Sequence, residues 1–429
     1  MRQWRAVPHY LILIGWVMMA GPRLTAQEKP ADWSQFRGPG GSGISDARGL
    51  PLTWSAGENV VWKTVLPGPG ASSPIVLGDR IFLTCYSGYG VGGSGRGDMN
   101  DLRLHVVCVH RDGGGILWDR QVMPRLPEQA RIRDDHGYAS STPVAEGDRV
   151  YVFFGKSGVL AFDFAGNPLW RTEVGSQLHG WGSGASPIVF GDLVIVNASV
   201  ESESLVALEK RTGKEVWRAR GIREAWNTPV LVPLEGGVHE LAIAMPQKVL
   251  GFDPATGERL WECSNDIRWY IAPSIVARDG AIWSIGGRSG VAAVALRAGG
   301  RGDVTNTHRL WTNENGSNVS SPVVHEGHLY WMHESRGIAF CAEAMTGRIV
   351  YEERIERAGQ IYASPVLADG RLYYLSRNGR VFVVAAASRY ELLAVNDMAD
   401  GSTFNASPAV AGNRLYIRSD KLLYCLGLK

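Results

Sequence analysis

Short runs in which apolar and polar residues alternate, broken by glycine-bearing turns, recur from about residue 60 to the C-terminus. One stretch shows the unit. Ser320–Val324 reads as a strand and Glu326-Gly327 as a turn. Leu329–Met332 reads as a second strand, closed by Ser335–Gly337. Ile338–Ala342 is a third, Thr346-Gly347 a third turn, and Ile349–Tyr351 a fourth strand. Period-two alternation bounded by such turns is the signature of hairpins. Four antiparallel strands in about 40 residues make one propeller blade.

A proline with small residues before it and β-branched residues after it marks the start of each unit. The prolines are Pro74, Pro143, Pro187, Pro229, Pro273, Pro322, Pro365 and Pro408, spaced 69, 44, 42, 44, 49, 43 and 43 residues apart. The long first interval holds a glycine-rich insertion, Tyr86 to Leu102. The expected fold is therefore all-β, an eight-bladed β-propeller of four-stranded antiparallel blades. The eighth unit ends after its third strand at Cys425-Leu426, whereas Val60–Thr64 carries the fourth-strand pattern. Val60–Leu66 is thus predicted to pair with Leu422–Leu426, closing the ring and removing its open edges.

The third and fourth strands carry a sharper signature, cleanest at Ala207–Trp217 and repeated at Gly251–Trp261. The fourth-strand aromatic is Trp118, Trp170, Trp217, Trp261, Trp311 and Tyr351 in successive units, with Ala394 in the seventh. A large flat ring repeated once per blade packs blade against blade. A second stripe, Phe82, Tyr151, Trp283, Tyr330, Tyr373 and Tyr416, is likewise expected in the core.

Of the 429 residues 45% are hydrophobic, which suffices for a large core, and 53 glycines suit many tight turns. Such a length ordinarily implies two or three domains, but repeat folds grow by adding units. The net charge of +2 leaves no polybasic field, so nucleic acid is not an expected partner. Arg2 and Arg5, the apolar run Leu11–Ala20 and Leu24-Thr25-Ala26 read as an export signal. The organisation expected is a signal peptide at 1–26, a leader at 27–58 and the propeller at 59–429. No later stretch has the length and apolarity of a membrane-spanning helix. The implied location is the periplasm or the extracellular space.

Five cysteines in an exported chain invite a disulfide reading. Cys108, Cys341 and Cys425, however, occupy the small-residue slot filled elsewhere by Ala161, Ala207 and Gly251, and read as buried fillers. Cys85 and Cys108 are on neighbouring strands and expected in diagonal register, about 7–8 Å apart. That exceeds the usual disulfide span.

The Ala-x-Asp/Glu-x-x-Thr-Gly-x-x-x-Trp pattern at Ala207–Trp217 resembles the tryptophan-docking repeat of the pyrroloquinoline-quinone (PQQ) propeller family. That family includes quinoprotein dehydrogenases and BamB-like proteins of outer-membrane protein assembly. The leader, Trp33-Ser34-Gln35-Phe36-Arg37-Gly38-Pro39, resembles the N-terminus of exported quinone-repeat proteins of planctomycete-type bacteria. The resemblance spans residues 59–429 and implies the fold far more strongly than an activity. Its dehydrogenases hold a quinone and a calcium ion in large insertions, and many carry adjacent cysteines. Here the units are nearly bare, no two cysteines adjoin, and no oxygen-rich calcium loop, haem motif, nucleophile motif or phosphate loop stands out. No cofactor is evident from the residues; PQQ with calcium is implied by the resemblance alone.

In four-stranded antiparallel blades, the blade-to-blade connections and the second-to-third turns share one face. The connections supply His136, Tyr138, His179, Trp181, Trp226 and Asn227, then Trp269, Tyr270, Asn315, Asn318, Tyr362 and Asn405. The turns supply Lys156, Lys248, Arg288, Arg336, Arg377 and Lys421. Aromatics and amides around a depression, rimmed by cations, suit an anionic or sugar-like ligand. Equally, turns commonly carry solvated Lys and Arg with no ligand at all. Asp134-Asp135-His136 is a further acid/base candidate, although such a run is usually only a polar loop.

Three functions compete. The favoured one is a non-catalytic binding or scaffold propeller of the cell envelope, recognising a protein or polymer on this face. The alternatives are a PQQ-dependent dehydrogenase with a reduced site and a carbohydrate-binding protein.

Overall fold

The computed structural model describes Met1 and residues 32–55, 57–91, 96–132 and 136–428. Apart from Met1, the expected export signal lies outside these residues, as do Asp134 and Asp135 of the acid/base candidate. Eight antiparallel four-stranded sheets follow one another in the chain, an eight-bladed β-propeller. The innermost strands of blades 1 to 4 are Ile75–Leu77, Val144–Glu146, Ile188–Phe190 and Val230–Pro233. Those of blades 5 to 8 are Val276–Arg278, Val323–His325, Val366–Ala368 and Ala409–Ala411. Middle strands are buried on both faces, as at Leu415 to Ile417, while outer strands such as Glu215–Arg220 alternate with solvent.

Closure occurs where the alternation predicts it. Val60–Val65 pairs antiparallel with Leu422–Leu426 and supplies the outer strand of blade 8, with Trp62 opposite Cys425. The blade-to-blade contact is a repeated piece of chemistry. Cys108, Ala161, Ala207, Gly251, Ala295, Cys341 and Cys425 each lie directly across from the fourth-strand aromatic of their own blade. The slot must be small because the ring folds over it: a Cβ on Gly251 would fall 2.0 Å from the Trp261 ring.

The indoles of Trp62, Trp118, Trp170, Trp217 and Trp311 each donate Nε1–H to a carbonyl in the third-to-fourth turn of the next blade. The acceptors are Arg111, Phe164, Lys210, Pro254 and Ala344, at 2.9–3.2 Å. That turn lies flat on the ring, so Gly213 is required both by φ of +72° and by the 2.5 Å separation between a Cβ there and Trp170. Trp261 departs from the pattern. Its Nε1–H donates to the buried Glu240 carboxylate at 2.7 Å, which also accepts from Gly299 N–H and Arg301. The longer third-to-fourth connection of blade 5 makes this possible, and its Gly302-Asp303 adds a short parallel strand beside Trp261-Glu262.

All five cysteines are free and buried. The register corrects one expectation: Cys85 faces His105 and Cys108 faces Phe82, three positions apart. The two thiols thus point to opposite faces of the sheet, which forbids a bond more firmly than a diagonal would.

The leader, residues 32–58, does more than precede the propeller. Trp33 exchanges backbone hydrogen bonds with Val76 of blade 1, and Ser34 accepts from Ala145 N–H of blade 2. The buried Arg37 donates to the Ser321 and Pro322 carbonyls of blade 6 and to Gly41 and Ser42 of the leader itself. Burial lowers its pKa, and these neutral oxygens are what hold its guanidinium. Ile44-Ser45 then adds a parallel strand to Leu367-Ala368 of blade 7. Trp54 and Leu50 bury themselves against the outside of blade 7, where Asn396 and Arg371 bond their backbone. The leader therefore crosses the central channel from one side to the other.

Candidate functional site

A Ser or Thr just before the repeat proline in seven blades, and Ser274 in blade 5, builds the throat of the channel. Ser73 N–H donates to Thr142 Oγ1, Thr142 N–H to Ser186 Oγ, Ser186 N–H to Thr228 Oγ1, and Thr228 N–H to Ser274 Oγ. The series continues through Ser321, Ser364 and Ser407 and returns to Ser73 Oγ, every bond 2.9–3.0 Å. Eight hydroxyls thus form a closed belt, one per blade. The belt also corrects the repeat register. In blade 5 the belt residue is Ser274, so Ile275 stands where the other blades have proline. Pro273 sits two positions early and is not the equivalent of the other seven.

Above the belt opens a cavity of about 760 Å³, lined by all eight belt residues. Phe36 of the leader also lines it. The leader's backbone contacts with blades 1, 2 and 7 fall three residues further along the inner strands than the belt, which places Phe36 on the floor side.

Of the residues singled out in the sequence, nine line this cavity: His136, Trp181, Trp226, Tyr270, Arg288, Asn318, Arg336, Tyr362 and Asn405. The aromatics cluster on blades 3 to 5, with Trp181 and Tyr270 centroids 5.1 Å apart and Trp226 and Tyr270 5.6 Å apart. Trp226 Nε1–H donates to the Gly182 carbonyl, which fixes its ring. Arg377 lies behind the wall, 4.6 Å over the Tyr362 ring and donating to Asn405 Oδ1 and Gln360 Oε1.

The others go elsewhere. Asn227 is fully buried and braces the Ala244 and Ile271 backbone. Lys248 pairs with Glu262 at 2.6 Å. Lys421 is exposed off the cavity, Asn315 donates its backbone N–H to Asn313 Oδ1, and Trp269 stands on the surface beneath the Arg288 guanidinium, 5.4 Å from it. Tyr138, His179 and Lys156 line a narrow side cleft between blades 2 and 3 with Glu128 and Glu201. Burial pushes Glu201 up to about 7 and raises Glu128 as well.

Sequence reasoning missed four contributors: Phe36, the hydroxyl belt, His333 and Glu334. The belt was visible as Ser-Pro or Thr-Pro in seven units. The floor was signalled by Trp33, Phe36 and Trp54, large apolar residues in a segment outside the repeat that need somewhere to bury. Glu334 accepts the Asn318 N–H at 3.0 Å and lies 3.4 Å from His333, whose pKa burial lowers.

One polar chain lies apart from the cavity. Ser87 Oγ is 2.8 Å from His105 Nε2, and His105 Nδ1 is 3.0 Å from both Asp119 oxygens. A carboxylate only accepts, so Nδ1 carries the proton and Nε2 receives the Ser87 hydroxyl. The order of groups is that of a serine-hydrolase triad. The setting is not. The linker before blade 1 presses onto this spot: Tyr86 N–H donates to the Pro69 carbonyl, and a Cβ on Gly68 would meet the Tyr86 carbonyl oxygen at 2.0 Å. His105 is buried beneath it. The chain ties three strands together at the base of the glycine-rich insertion.

The fold and its belted cavity define an eight-bladed repeat propeller with a central ligand-sized cavity on the face of the blade-to-blade connections. The family described as outer membrane protein assembly factor BamB matches residues 103–353. The match covers more than half of the sequence, and the chain belongs to that family. No curated protein matches it in sequence. Among solved structures it is similar to BamB from Moraxella catarrhalis, at 16% identity and TM-score 0.61, covering 86% of this chain and 97% of that one. It is also similar to a europium-containing methanol dehydrogenase, at 10% identity and TM-score 0.67, covering 94% and 99%. A third is the quinohemoprotein alcohol dehydrogenase from Comamonas testosteroni, at 10% identity and TM-score 0.58, covering 93% and 81%. At these identities the likeness is one of fold.

The fit of a calcium-held quinone can be judged from the donor set. Among the described residues that line the cavity Glu334 supplies the one carboxylate, whereas calcium takes six to eight oxygen ligands. Among the described residues no three His, Cys, Asp or Glu side chains gather as a metal site. No redox step is derived through such a group. No helix among the described residues is long and apolar enough to cross a membrane.

Proposed function

We propose that this chain is an exported binding propeller of the cell envelope that captures a protein or polymer partner on its cavity-bearing face. The observation that carries the reading is the cavity itself. Phe36 of the leader lines its floor, its wall is aromatic on one side, and Arg288 and Arg336 line it as well. Neither arginine makes an ion pair with a carboxylate among the described residues. Membership of the BamB family supports a role in protein interaction.

The test uses purified protein immobilised and exposed to isolated envelope fragments. Arg288→Glu with Arg336→Glu and Arg377→Glu should abolish retention and its salt dependence. Arg80→Glu with Arg371→Glu and Arg414→Glu, on the opposite face, should leave retention unchanged. Equal loss from both triples contradicts the reading. Calcium- and PQQ-dependent dye reduction by the purified protein would replace it with the oxidoreductase alternative.

A further inference from the structure

We propose that the central cavity binds the end of an acidic glycan, a saccharide end group bearing hydroxyls and a carboxylate. The proposal rests on the binding reading above and narrows it to a ligand class.

Three independent features converge on that chemistry. The first is the belt. A Ser or Thr hydroxyl has one proton to donate and two lone pairs. In each of the eight, one lone pair is taken by the neighbouring blade's N–H. No hydroxyl of the belt donates to a protein acceptor among the described residues, so each offers the cavity one donor and one acceptor. A ligand that matches a ring of mixed donors and acceptors is itself a polyol.

The second is Asn318. Its side chain is buried and lines the cavity, and Nδ2 donates to Tyr270 Oη at 2.9 Å, yet its buried Oδ1 has no partner. That amide holds the Tyr270 ring in place, so the aromatic wall beside it is fixed rather than adjustable.

The third is the asymmetric wall. Trp181, Tyr270 and Trp226 present apolar ring surface on one side, suited to the C–H face of a sugar. Beside them Arg288 is oriented by Trp269 beneath it and by Tyr270 Oη at 3.4 Å, and Arg336 follows on the next blade. Other cations of this face are already engaged, Lys248 by Glu262 and Arg377 by amides. Two guanidiniums without carboxylate partners match a ligand carboxylate in forked geometry. A planar aromatic acid would satisfy the wall and the arginines but not the belt. Phe36 of the leader stands across the far side of the cavity, which suits a chain end better than a through-running chain, and about 760 Å³ falls within the range of small-ligand sites.

Tryptophan fluorescence titration of the purified protein with trigalacturonic acid, galactotriose and PQQ tests this. The acidic trisaccharide should bind about tenfold more tightly than the neutral one, with the margin shrinking as salt rises. Arg288→Gln with Arg336→Gln should erase the margin, while Asn318→Ala should weaken both saccharides. Arg80→Gln with Arg414→Gln should change neither. Equal binding of both saccharides, no binding of either, or PQQ excluding the acidic one at lower concentration overturns the assignment. If neither saccharide binds while the Arg288/Arg336/Arg377 triple still abolishes envelope retention, the ligand class falls and the binding face stands.

Discussion

If the leader is the floor of the cavity, loosening its first anchor should open that floor. Trp33 is 1% exposed and packs between Val76 and the tight turn at Gly38. Trp33→Ala deletes the ring and leaves a cavity, at a cost of about 3–5 kcal/mol. In a chain of this size that corresponds to a fall of roughly 3–8 °C in Tm. Gly38→Ala strikes the same contact from the other side. Its φ of +68° disfavours any Cβ, and the new methyl would lie 2.4 Å from the Trp33 ring, so it should act in the same direction. Trp33→Phe separates packing from polarity. The indole Nε1–H is buried without a partner, so removing it recovers about 1–3 kcal/mol of the packing loss. The assay is calorimetric melting together with limited proteolysis. Trp33→Ala and Gly38→Ala should expose cleavage sites within residues 32–58 while the blades stay resistant. Wild-type melting and an uncut leader in both variants would refute the plug.

Cys341→Ala should fold with little loss, whereas Cys341→Leu should overpack the slot beneath Tyr351 and cost about 1–3 kcal/mol, read from denaturant midpoints; a disulfide at Cys341 in unreduced peptides would contradict both. Burial holds Glu201 near 7 against an ordinary value of 4.5. Its neutral form is therefore favoured by folding below pH about 4.5, and that stability drains away as pH rises through 7. Glu201→Gln should remove this dependence and stabilise the protein at pH 8 by about 3 kcal/mol; parallel pH–Tm curves for the two proteins would rule it out. Ser87 should stay unlabelled by a fluorophosphonate in the native protein, because the Gly68 linker covers it; labelling at Ser87 that His105→Gln abolishes would show a working nucleophile.

The blades were legible because their determinants are local. Alternation, Thr-Gly turns and one aromatic per fourth strand each act within a few residues, and the missing eighth strand could be found by pattern at the other end of the chain. Pro273 shows the limit of that approach. A small-Pro motif one short segment out of place looks equivalent until the hydroxyl belt identifies Ser274 as the true register mark. The face that carries the cavity followed from the alternation of connections between the two faces. Which residues reach its centre did not: Asn227 and Tyr270 belong to similar connections, yet one turns into the backbone and the other into the cavity. The floor depended on long-range contacts between Trp33–Ser45 and several blades, which no periodicity encodes.

Hydrogen–deuterium exchange of the purified protein with and without bound envelope fragments tests the binding face most directly. Protection is expected on the cavity side, in segments 179–184, 224–228, 268–274, 286–290, 333–337 and 360–364. Protection confined to the turns of the opposite face, at 78–80, 369–371 and 412–414, would contradict it.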